Sequence, residues 1–240
     1  MKSLSISFFL KWALFLFFAF LLFLFIHECG HGFGSQLDGI HVSTGFNRVG
    51  DVGKKPSDPD FRSESMIQFP FGSGDLLGPF TNWLFAILFT IWLVHRKTSD
   101  LMTLIIGAGA VANALIRLVP MLGFITFAFM GHVSLEDEVG WGMGAVQGIK
   151  FPISYTDLKS LLASNPAMFL SEPRIYFWPL LSLTISFICM VFSYRQLYSV
   201  FAKPMSKRFE RWTFGLMPLM IWPLILIVVN RLDNLIRINW

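Results

Sequence analysis

From Ser5 to Ile26 the chain carries a single charged residue, Lys11, and the run ends on His27-Glu28-Cys29-Gly30-His31. A helix needs roughly 20 mostly apolar residues to cross the hydrocarbon core of a bilayer. This stretch therefore dictates a membrane helix, and it sets two histidines and a glutamate at the end of it. The apolar run is long for the centre of a signal peptide, and no small-residue cleavage site follows it. It is expected to be retained.

Four further apolar segments follow, at about 76–94, 101–130, 175–194 and 212–229. With the first, 5–26, they predict an all-α polytopic membrane protein of about five transmembrane helices, one integral membrane domain over residues 1–240. Only 14% of the residues are charged, where a soluble domain would carry about a quarter, so a soluble enzyme is excluded. The third segment is longer than a bilayer requires. A break is expected near Pro120 and Gly123, because proline removes a helix hydrogen bond and crowds the preceding turn.

Two long polar loops, 35–74 and 131–174, separate these spans. The first is rich in Gly, Ser, Pro and Asp and reads as irregular. Its IHVSTGF stretch, Ile40 to Phe46, alternates enough for a short strand and a possible β-hairpin. Cys29 and Cys189 lie in or beside apolar segments and imply no disulfide framework. A net charge of +4 suits basic loops beside a lipid bilayer and gives no nucleic-acid surface. The loops holding Arg96 and Lys97, and Arg195 to Arg211, are densest in base, which places them in the cytoplasm together with the N-terminus. Arg48, Lys54, Lys55 and Arg62 in the first polar loop pull the other way. The expected location is a membrane, the cell membrane in a prokaryote.

One consequence holds for either orientation. Alternating spans bring the end of the first, the start of the second and the end of the third to one membrane face. Those places hold His27 to His31, Gly78 to Asn82, and the acids Glu136, Asp137 and Glu138.

His27 and His31 stand at i and i+4, so on a helix their imidazoles lie one above the other and can meet at one metal ion. Zinc takes histidine nitrogens at about 2.0–2.1 Å and acidifies water, and Glu28 between them is placed to accept the proton. Charged groups in a membrane helix cost about 2.5–3.5 kcal/mol each on insertion scales, so their presence asks for a function. A catalytic zinc needs a third protein ligand and an open position. In the metzincin pattern a third histidine would follow Gly34, but Leu37 stands there. The remaining candidates are Asp38, His41, Asp75, His132 and the acids 136–138. Asp38 precedes Gly39 in a pair typical of turns, and three adjacent acids also suit a solvated face or a helix start.

HECGH at the end of a span, followed by GPFTNWLFAILFTIWLV, resembles the site-2 protease family of intramembrane zinc metalloproteases. The resemblance covers about residues 10–140. It rests on His27, Glu28 and His31, on Gly78, Pro79 and Asn82 matching G-P-x-x-N, and on a later acid; the third span, with Asn113, Arg117 and Pro120, departs from the family's pattern. The family's L-D-G, whose aspartate completes the zinc site, is absent after Pro120. The resemblance then implies that Asp137 takes that place, with Glu136 or Asp38 as alternatives. It also implies that Asn82 and Asn113 hold the substrate backbone or the oxyanion. Taken by themselves, Asn82 reads equally as hydrogen-bonding glue between helices, and Pro79 as ordinary first-turn chemistry. IIGAGAVANA reads as a close packing face, Cys29 as a small packing residue, and Arg117 as a buried cation in need of an acidic partner.

The implied activity is hydrolysis of peptide bonds in transmembrane or membrane-anchored substrates, with zinc as cofactor and Glu28 as general base. The strand near His41 to Phe46 is expected to pair with the substrate as an added strand. A prenyl-protein endopeptidase and a non-catalytic membrane protein keeping the metal site are the other readings. Lipid desaturases are excluded, since five histidines are too few for their boxes.

Overall fold

The computed structural model describes residues 6–63, 73–130, 137–143, 160, 163–164, 171–203, 205 and 207–240. Helix α1, Ile6–Leu37, is apolar on every side and divides by contact alone. Residues four apart share a face. Trp12, Leu16, Phe20 and Leu24 form a buried ridge that His27, His31 and Ser35 continue, while Ile6, Leu10, Leu14, Phe18 and Leu22 stay exposed on another face. The histidines thus prolong the inward ridge of an oily helix. The helix runs well beyond the expected end at Ile26, through HECGH. It stops at Gly39, whose φ of 78° is open to glycine. There Ile40 N–H donates to the Ser35 carbonyl at 2.9 Å and Gly39 N–H to that of Gln36 at 3.0 Å, the Schellman pattern of a helix end.

Helices α2, Ser73–Val94, and α3, Leu101–Phe129, come next, then a short α4, Asp137–Met143. Helix α5, Pro173–Leu197, passes into a π-helical turn, Tyr198–Ala202, and α6 spans Arg208–Leu232. Five of these helices are long and apolar enough to cross a membrane. Four of them extend past their expected apolar limits at one end or both, while α3 keeps within 101–130, where Asp100 accepts from Thr103 N–H at 2.8 Å to cap it.

Helix α3 is the central one. In its most apolar window 78% of residues are buried, against 22–39% in the other four. Its small residues let neighbours come close: a side chain on Gly107 would meet Leu197, and one on Gly109 would meet Phe89. The expected break near Pro120 does not occur, since α3 is helical through it. Proline forfeits one hydrogen bond, but with no water to compete, the rest of the ladder holds. In α6, Pro218 likewise strips the Phe214 carbonyl of its donor, and Trp12 Nε1–H of α1 supplies one at 3.2 Å. Pro79 is also no first-turn residue, for α2 begins at Ser73.

A small three-stranded sheet covers the histidine end of α1. Strands β1, Ser43–Thr44, and β2, Val49–Gly50, form the expected hairpin. The third strand, β3, Ile238–Asn239, arrives from the far end of the chain and pairs with β1 antiparallel. The order β2-β1-β3 leaves β1 central. Both of its edges are filled, which contradicts the expectation that the 41–46 strand takes a substrate strand. Trp240 locks β3 down, its N–H donating to the Val42 carbonyl at 2.9 Å and its Nε1–H to Thr44 Oγ1 at 2.8 Å. Buried Asp233 accepts from the backbone N–H of Phe46 at 2.8 Å and of Asn47 at 3.2 Å. Hydrogen bonds to charged groups contribute about 1.5–3 kcal/mol. Asp233→Ala is therefore expected to destabilise the sheet by about 2 kcal/mol. Hydrogen exchange should show faster exchange at the Phe46 and Asn47 amides, with that of α3 unchanged.

Candidate metal centre

The turn of α1 that carries the histidines is pressed between two partners, and its glycines make this possible. A side chain on Gly30 or Gly34 would collide with the backbone of α2 at Leu77 or Ser73, and one on Gly32 with Thr44 and Trp240. HECGHGFG is thus a helix with two close-approach faces, one toward α2 and one toward the sheet. From the α2 side, Gly78 lies against the His31 ring, where even a methyl group would strike Nε2. His31 is fixed from behind as well: its Nδ1 lies 2.8 Å from the Gly74 carbonyl. Nδ1–H as donor puts the ring's lone pair on Nε2, the tautomer a metal ligand needs.

His27 Nε2 lies 3.0 Å from His31 Nε2. Asp137 Oδ2, from the first turn of α4, lies 3.5 Å from each of these nitrogens. Both histidines are buried and Asp137 is partly so. Ligands about 2.0–2.1 Å from a tetrahedral zinc stand about 3.3–3.4 Å apart. The sides of this triangle match that edge within a few tenths of an ångström. Two neutral nitrogens and one carboxylate oxygen also suit zinc in kind. The residues fit a three-ligand metal site.

Arg117 of α3 supports the acid. Its Nη1 donates to Asp137 Oδ2 at 3.1 Å, and its Nε to Glu138 Oε1 at 2.9 Å, with Nη2 on Glu138 Oε2 closing a two-pronged pair. Buried Glu138 also accepts from Ser182 Oγ of α5 at 2.6 Å, and Ser182 in turn accepts from Trp83 Nε1–H of α2 at 2.9 Å. Burial pushes the Asp137 carboxyl up, but His31, His27 and the Arg117 guanidinium outweigh it and hold the group well below the usual carboxylate range.

The convergence expected from alternating spans is therefore present: the end of α1, Gly78 of α2 and the acids after α3 meet. Arg117 has the acidic partner it required. Glu28, one residue from His27, is turned about 100° from it around the helix, half-buried and outside the ligand group. Its charge is felt by Arg237 of the C-terminal tail. Asn82 and Asn113 are joined to each other, Asn82 Nδ2 donating to Asn113 Oδ1 at 3.0 Å and Asn113 Nδ2 to the Gly109 carbonyl at 2.8 Å. Both are buried in glue between α2 and α3, and Asn82 Oδ1, like His27 Nδ1, has no hydrogen-bond partner among the described residues.

Asp38 is not a ligand. Its Oδ2 accepts from Ser73 N–H at 2.6 Å and caps α2, while the helix stop at Gly39 turns it away from the histidines. The letters L-D-G at 37–39 are thus a helix end. His41 is exposed, with Nδ1 near the Trp240 carbonyl, and Asp75 stands in the first turn of α2. Glu136 and His132 lie outside the described residues. Glu138, a candidate ligand, instead pairs with Arg117, while Ser182, Trp83 and the close-approach glycines of α1 were not foreseen as parts of the site. Their one sequence signal was Arg117, a charge inside a span. Comparison with family models, curated proteins and solved structures finds no match.

The space Gly78 leaves for His31 gives a direct check. Gly78→Ala overpacks the site and is expected to lower stability by about 1–3 kcal/mol. Gly123→Ala, where a side chain meets nothing, should be neutral or stabilising by up to about 1 kcal/mol. Thermal unfolding in one detergent, run on both variants, measures the contrast.

Proposed function

We propose that the protein is an intramembrane metalloprotease of the site-2 type, cutting peptide bonds in transmembrane or membrane-anchored substrates. The observation that carries this reading is the triangle of His27 Nε2, His31 Nε2 and Asp137 Oδ2 with Glu28 adjacent on α1. These three residues would hold zinc. When bound, zinc supplies Lewis-acid chemistry, polarising a carbonyl and acidifying water near neutral pH.

The chain's own residues divide the rest. His31 is held in its metal-binding tautomer by Gly74, and His27 completes the i,i+4 pair. The Glu28 carboxylate takes a proton from the attacking water and delivers it to the leaving amine, base becoming acid. The α2–α5 packing around Glu138 and Ser182 excludes lipid from the charged cluster, which a membrane site requires. Asn82 and Asn113 bind each other, so their contribution to substrate is to fix the start of α2, where Gly78 lies against His31.

Purified protein is expected to carry one zinc per chain, and co-expressed membrane substrates to be cleaved. Glu28→Gln should keep the metal and reduce cleavage at least about a hundredfold, the usual scale of a general base. His27→Ala should lose the metal. Full cleavage by Glu28→Gln would overturn the mechanism. Zinc without cleavage of any substrate in wild-type protein would favour a non-catalytic metal protein.

A further inference from the structure

Asp137 is an unusual third ligand on this chain's own geometry. It stands on a short helix that begins after α3, not inside a spanning helix, so the spans alone do not fix its carboxylate. Beside it stands Glu138, a second acid of longer reach. Something must decide which acid turns to the histidines and hold it there.

We propose that Arg117 is the positioning residue that makes this choice, an inference that rests on the metal-site reading above. The guanidinium is a rigid, permanently charged fork with donors and no lone pair, so it cannot itself bind a metal. Two prongs, Nε and Nη2, take both oxygens of Glu138. Ser182 Oγ adds a third hydrogen bond to the same carboxylate at 2.6 Å. The remaining prong, Nη1, reaches Asp137 Oδ2 at 3.1 Å and stops 3.5 Å from His27 Nε2. It holds the one oxygen that faces both histidines and leaves that oxygen's other lone pair to the triangle.

The charges agree with this division. Glu138 neutralises Arg117 within a buried pair, and Asp137 brings one net negative charge to the histidines. Without the fork, the buried Glu138 would lack its cation, and either acid could turn to the metal. Arg117 is buried at 3% exposure and is anchored through Glu138 to Ser182 and Trp83, so its prongs cannot wander. It acts through Asp137.

The test is a double-mutant cycle on zinc affinity, measured by competition with a chromophoric chelator on full-length protein in detergent. The variants are Arg117→Lys, Asp137→Ala and the pair. Lysine keeps the charge for Glu138 but cannot offer three directed prongs. Loss of such a supporting contact lowers metal affinity about 10- to 100-fold, and Arg117→Lys is expected to fall in that range with α-helical content unchanged. In the Asp137→Ala background the same change should do nothing further. Wild-type affinity in Arg117→Lys, or an equal loss with and without Asp137, overturns the proposal while leaving the metal site standing. A wild-type protein that binds no zinc overturns the site itself and the positioning role with it. Should Arg117→Lys fail to fold, Ser182→Ala, which loosens Glu138 from the far side, must weaken zinc in an Asp137-dependent way. Unchanged affinity there also counts against the proposal.

Discussion

Arg117 carries a permanent charge on the most enclosed helix of the bundle, and the arrangement around the candidate site follows from answering it. A buried cation without a partner destabilises by several kcal/mol, so α4 and α5 must supply anions and donors on its side. Glu138 and Ser182 do so. In meeting that demand α4 is drawn against α3 and α5, and Asp137 comes to the histidine pair. The charge that is most costly on a membrane span is also the one that ties four helices to one point: Trp83 on α2, Arg117 on α3, the acids on α4 and Ser182 on α5.

The opposite wall is built by absence of side chains. Gly30, Gly34 and Gly78 allow α1 and α2 to approach until the His31 ring rests on the α2 backbone. Gly32 admits Trp240 from the C-terminal strand on the other flank. In lipid, where tails are as apolar as leucine, such close packing and buried hydrogen bonds hold helices together in place of the hydrophobic effect. The same surroundings explain the prolines: α3 passes through Pro120, and the carbonyl freed by Pro218 takes a bond from Trp12.

The span pattern and the histidine pair were legible in the sequence because each depends on local spacing: an apolar run of membrane length, and ligands at i and i+4. The hairpin was legible for the same reason. What was not legible depends on contacts between distant residues. Ile238 and Asn239 show no alternation that marks a strand, and only pairing with Thr44 and Ser43 makes them one. Among three adjacent acids, composition cannot tell which one stands beside the histidines; Asp137 Oδ2 lies 3.5 Å from both, and Glu138 pairs with Arg117. The L-D-G at 37–39 carries the right letters in the wrong role, because a glycine at positive φ after a long helix is first of all a stop. Central β1, closed on both edges, could not be told from an open strand by its own residues.

A metal ion held jointly by His27, His31 and Asp137 is read most directly by X-ray absorption at the zinc edge of the loaded protein. The expected spectrum has a first shell of nitrogen and oxygen at about 2.0–2.1 Å, two imidazoles in the outer scattering, and no sulfur. A sulfur shell at about 2.3 Å would place Cys29 in the site and contradict the account, as would three or more imidazoles, which would bring in His41 or His132.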